Sequence, residues 1–125
     1  MTSLKATNLT QNVVLVDSLE VADTAWSRMK GLLGRTALPK GSGLLITRCN
    51  AIHMFFMRFP IDAAFLDSAN IVVGLVRRIP PFALSPIFWK AVKVLELPAG
   101  TIDTTGTKLG DQLRLTFFAP GAEKV

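Results

Sequence analysis

The chain distributes its apolar residues in short runs, and none is long enough for a long helix or a bilayer span. A membrane helix needs about 20 consecutive apolar residues. The longest uncharged apolar run, Ile79 to Trp89, holds three prolines, which cannot donate into a backbone ladder. What remains reads as strands: Val13–Val16, Leu19–Ala22, Leu44–Cys49, Ala63–Asp67, Asn70–Val76, Ala91–Leu97 and Gln112–Phe118. The Ser68-Ala69-Asn70 turn joins two of these into a hairpin, and "RIPPFALSPIF" reads as an irregular loop. Asp23-Thr24 offers a helix N-cap, with Trp26, Met29 and Leu33 following at helical spacing, Gly31 inside that helix and Gly34 as the stop. Residues 1–10 read as a polar arm and 119–125 as a loose tail of a single domain spanning 1–125. The predicted class is mainly β, a small open barrel or sandwich of about six to eight short strands with one or two short helices, with α+β as the alternative.

Half of the 125 residues are apolar and 18% are charged, below the ~25% of average soluble domains, so a large core and room for one exposed apolar groove are expected. The net charge of +5 is segregated: Thr24 to Pro60 carries Arg28, Lys30, Arg35, Lys40, Arg48 and Arg58 without an acid. Ser68 to Leu95 carries Arg77, Arg78, Lys90 and Lys93, again without an acid. Because basic residues never stand more than two together, solvated surface charge is favoured over a nucleic-acid face. The first twenty residues have polar positions where a signal peptide would be apolar, and the lone Cys49 excludes an internal disulfide. A soluble cytoplasmic domain is the expectation. No phosphate-binding glycine loop and no G-x-S-x-G elbow occurs in the sequence.

"AIHMFFMRFPID", Ala51 to Asp62, holds the only histidine. Apolar residues fall on both sides of an extended reading, which suits a strand buried on both faces. Cys49 and His53 would then stand ~13 Å apart at ~3.3 Å per residue, too far for a nucleophile and its base, whereas on a helix or a sharp bend they would be neighbours. His53 is expected in the core beside an inert cysteine. One histidine and one cysteine make a poor zinc set, so neither a metal nor a cofactor is expected. Arg58 and Asp62 could pair across Pro60, where the guanidinium could receive an anionic group. Glu96, in the apolar "VLELPAG", must either meet a basic partner such as Arg58 or have its pKa raised. Gly110-Asp111 reads as a tight turn.

The order "WSRMKGLLGR", "HMFFMRFPIDAAFLD", "VLELPAG", "GTKLGDQL" resembles the bacterial and archaeal family known as domain of unknown function 192, from roughly Val21 to Leu115. The resemblance implies a β-rich domain, often secreted or lipid-anchored, although this chain reads without a leader. It implies no reaction, cofactor or catalytic residue. Phe56, Met57, Arg58, Pro60 and Asp62 match the family's central pattern, and Glu96, Gly100, Gly110 and Asp111 match its later motifs. Phe56 stands where the family commonly has Trp, and Phe59 replaces a longer spacer beginning Asn-Thr.

Three functions remain open. The leading one is a non-catalytic small-ligand-binding or accessory domain, with a groove formed by His53, Phe55, Met57, Arg58, Asp62 and Glu96 and a small anionic ligand or a protein as its partner. The second is a small enzyme using Glu96, Asp62 or His53 for proton transfer. The third is binding of nucleic acid or another polyanion through the basic segments.

Overall fold

The computed structural model describes residues 3–24, 27 and 31–118. Seven strands form one curled sheet: β1 (Ser3–Asn8), β2 (Val13–Ala22), β3 (Ser42–Thr47), β4 (Ile61–Leu66), β5 (Val72–Ile79), β6 (Lys93–Pro98) and β7 (Leu113–Phe118). Their spatial order is β5-β4-β6-β3-β2-β1-β7. Only β2 and β3 run parallel, linked by the crossover through residues 23–41. The edge strands meet at one end through the Ile71–Gln112 bridge, so the half-barrel is pinched shut there and open elsewhere. The mainly β expectation holds, in its open-barrel form.

Local chemistry explains several boundaries. Asp67 Oδ1 accepts the amides of Ala69 and Ile71, both at 2.9 Å, and Asn70 takes φ 63°, which closes the β4–β5 hairpin where the sequence places it. Thr24 Oγ1 accepts the Ser27 amide at 3.0 Å while Ser27 Oγ accepts that of Thr24, as an N-cap should. Gly31 has φ 48° and Gly34 φ 83°, so Gly31 lies in the left-handed region rather than inside a helix. Trp26 and Met29 of that segment, and the tail 119–125, lie outside the described residues. A short helix absent from the sequence reading, α1 (Thr101–Thr105), follows β6.

Two expectations are corrected. The "polar arm" contains β1, paired between β2 and β7, with Leu4, Ala6 and Asn8 turned inward. The two runs in 13–22 are one strand. Ala51–Asp62 is no doubly buried strand either: β4 begins at Ile61, and residues 48–60 are irregular, with φ 51° at Arg48 and φ 62° at Phe56. Their neighbour is 80–92, whose Pro80, Pro81 and Pro86 lack amide donors, so the two segments share scattered hydrogen bonds rather than a ladder. The strand buried along its whole length is β4.

Apolar residues pack on both faces of the sheet. Inside the curl lie residues such as Val16, Leu45, Ala64, Leu66, Leu95 and Leu97. Outside, Leu44, Ile46, Ala63, Phe65 and Val94 are covered by Leu32, Leu38, Ile52, Met54 and Met57 from the loops. Phe88 anchors the second loop: its ring lies 4.4 Å from that of Phe65 and directly over Gly74, where a Cβ would come within 2.3 Å of it.

Candidate functional site

Strand register fixes which way Glu96 points. It pairs with Leu44 on β3 and Ala63 on β4, both in the outer cluster, so its side chain enters the layer between sheet and loops. There it borders a cavity of about 140 Å³ whose walls include Leu32, Ile46, Ile52, Met57, Arg48, Cys49 and His53. Glu96 is 6% exposed, and no hydrogen bond or ion pair to its carboxyl occurs among the described residues. Burial pushes its pKa from 4.5 to about 7, and the Arg35 guanidinium, itself paired with Glu20, opposes that rise. The cavity thus combines mostly apolar walls with one carboxyl whose pKa is raised to about 7.

His53 is exposed rather than part of the core. Its Nδ1 accepts the Phe55 amide at 3.3 Å and its ring lies 5.1 Å from that of Phe55. Cys49 Sγ donates to the Ala51 carbonyl at 3.1 Å. Because the chain bends through this segment, Cys49 and His53 border the same cavity, and the extended-strand geometry behind the ~13 Å separation does not apply.

Of the six residues proposed from sequence, the cavity gathers His53, Met57 and Glu96. Phe55 is 42% exposed, and Arg58 is exposed and outside the lining. Asp62 lies on the inner side of the sheet, fully buried, where it accepts the amides of Arg78 at 2.8 Å, Gly100 at 3.1 Å and Ile102 at 2.8 Å. No Arg58–Asp62 ion pair occurs among the described residues. Asp62 therefore ties β4 to β5 and to the start of α1.

Arg35, Arg48, Leu32 and Ile52 are not among the site residues proposed from sequence. The one signal for Arg35 is the need of a carboxylate in "VLELPAG" for a nearby cation, and nothing in residue order selects Arg35 over Arg58. Asp111 does behave as a turn aspartate. Burial would raise its pKa, but hydrogen bonds from Asn8, the Lys108 amide and Gln11 outweigh burial and lower it. No group of three or more His, Cys, Asp or Glu side chains able to hold a metal occurs among the described residues.

The fold and site define a half-barrel β domain with a buried, protonatable carboxyl beneath a two-loop cover. The chain matches the DUF192 family, "Uncharacterized ACR", over residues 6–115 and belongs to it. That match begins inside β1, well before the Val21 limit of the sequence resemblance. A UPF0127 protein of Thermococcus sibiricus is 35% identical over 113 residues, covering 85% of this chain and 71% of the relative. A crystal structure of a protein of unknown function from Novosphingobium aromaticivorans superposes with TM-score 0.77 at 24% identity, covering 89% of this chain and 82% of that one. A Sinorhizobium meliloti structure described as a "putative transcription regulator" superposes with TM-score 0.78 at 23% identity, covering 91% and 93%. At these identities the likeness is one of fold. No helix among the described residues is long and apolar enough to cross a membrane.

Proposed function

We propose that this is a small-ligand-binding domain whose occupant is compact and largely apolar, with one amine or other strong hydrogen-bond donor directed at Glu96. The supporting observation is the Glu96 carboxyl itself, on a residue 6% exposed beside a mostly apolar cavity, with no hydrogen-bond partner among the described residues. Such a group is expensive to bury, and a ligand donor would relieve the cost. At about 140 Å³ the cavity suits a molecule near the size of benzene, which fills an engineered cavity of ~150 Å³. The Glu96 carboxyl favours a ligand with a cationic or donor group; Arg58, the cation proposed from sequence for a small anion, stands outside the lining, where Arg48 is the basic residue present.

An NMR titration of the full chain with isobutylamine or cyclopentylamine tests this. Shifts are expected at Leu32, Ile52 and Met57, with binding tightening as pH rises through 7 and Glu96 ionises, and weakening about tenfold in Glu96→Gln. No shifts at these residues, or equal affinity in Glu96→Gln, would reject the reading. A proton-transfer enzyme is the second reading, favoured by a carboxyl whose pKa of about 7 suits general acid–base work. A bound compound recovered chemically altered by the wild type and unaltered by Glu96→Gln would select it.

A further inference from the structure

The loops that cover the outer face carry large apolar side chains that nothing in the described chain covers. Residues 48–60 and 80–92 lie side by side, joined by amide-to-carbonyl bonds from Met54 to Ala83, Phe82 to Met54, Ser85 to Ile52 and Phe88 to Asn50. Ile52 and Met54 turn inward to the core. Outward stand Phe56, Phe82, Leu84 and Trp89, which are 76%, 60%, 67% and 80% exposed. None of these four borders the Glu96 cavity.

Two of these residues are strained as well as exposed. Phe56 and Phe82 have φ 62° and 67°, in the left-handed region that bulky side chains rarely adopt because Cβ crowds the backbone. Their rings meet each other edge to face at 5.9 Å and contribute nothing to either core cluster. Asparagine or glycine would relieve the backbone and remove apolar surface from water, so folding alone gives no reason for phenylalanine at both places. An outlier of this kind points outside the chain.

Charge selects the partner. Arg48, Arg58 and Lys90 are exposed in the same two loops, and no acidic residue occurs between Thr24 and Pro60 or between Ser68 and Leu95. A second copy related by symmetry would bring the same cations against these. Exposed aromatic rings beside cations match the physics of the bilayer interface, where rings settle at headgroup depth and lysine and arginine meet lipid phosphate. We infer that this aromatic ridge docks the domain on an anionic lipid surface, with Phe56, Phe82, Leu84 and Trp89 inserted and Arg48, Arg58 and Lys90 on the headgroups. The docking is peripheral, and of its residues only Arg48 also borders the Glu96 cavity.

Vesicle flotation of the full chain tests it, with phosphatidylcholine alone compared with phosphatidylcholine containing about a quarter phosphatidylglycerol. Binding to the anionic vesicles is expected, about tenfold weaker on neutral ones and several-fold weaker when salt rises from about 0.1 to 0.5 M. In a Trp26→Phe background, the emission of Trp89 should shift to the blue on binding. The paired variant Phe56→Asn/Phe82→Asn should melt at the same temperature or higher, since asparagine tolerates the left-handed backbone, yet lose about tenfold in vesicle binding. No binding to anionic vesicles, equal binding to neutral ones, or unchanged binding by the paired variant would overturn the inference. So would a dimer or an oligonucleotide complex, abolished by the paired variant, in a protein that ignores vesicles.

Discussion

Two buried carboxylates on neighbouring strands face opposite sides of one sheet and meet opposite circumstances. Asp62 on β4 lies opposite Leu97, and Glu96 on β6 lies opposite Ala63. The single-residue offset sends Asp62 inward and Glu96 outward. Asp62 is held by three backbone amides, so its charge serves the junction of β4, β5 and α1. Glu96 has apolar neighbours, a cavity and a pKa of about 7. The difference follows from what covers each face. On the inner face, β5 and the turn leading into α1 supply amides. The outer face is closed by loops whose prolines prevent a ladder, leaving a space that no backbone group fills.

The strongest way to break this comparison is Asp62→Ala. It strands three amide donors, and each buried orphan costs about 1–3 kcal/mol, so a loss of about 3 kcal/mol or more is expected in urea unfolding. A loss under about 1 kcal/mol would mean that water replaces the carboxylate and that Asp62 holds nothing together.

Glu96→Gln should act in the opposite direction and depend on pH. The folded-state pKa of about 7 lies above the ordinary 4.5, so stability from retaining the proton is full below pH 4.5 and is lost as pH rises through 7. At 1.36 kcal/mol per pH unit, the charged carboxylate costs about 3 kcal/mol above pH 7. Glutamine removes that cost. Unfolding curves should show Glu96→Gln stabilised by up to about 3 kcal/mol at pH 8 and nearly level with wild type at pH 4.5. A variant less stable than wild type at pH 8 would show that the carboxylate has a partner in the folded protein.

The two faces also differ in how much of them residue order reveals. Six of the strands announce themselves through short β-branched and aliphatic runs between turn residues, and the Asp67–Asn70 hairpin through its turn chemistry. β1 hides because Lys5 and Thr7 alternate with only two inward apolar residues, Leu4 and Ala6, and because Asn8 is buried in a network with Asp111. The segment 48–60 misleads for a different reason. It is apolar enough for a strand, but both edges of β4 are occupied by β5 and β6, and its remaining neighbour carries three prolines. Asp62 draws its partners from 16, 38 and 40 residues away, a relation that no local pattern encodes. Glu96 is legible because a carboxylate amid leucines needs explanation wherever it folds.

The titration of that carboxyl, followed by carbon-13 NMR of the Glu96 side chain from about pH 4 to 9, probes the outer cavity most directly. A midpoint near 7 is predicted. A midpoint near 4.5 would mean that water or a protein partner already serves the group, and that burial in the outer cavity does not govern its proton.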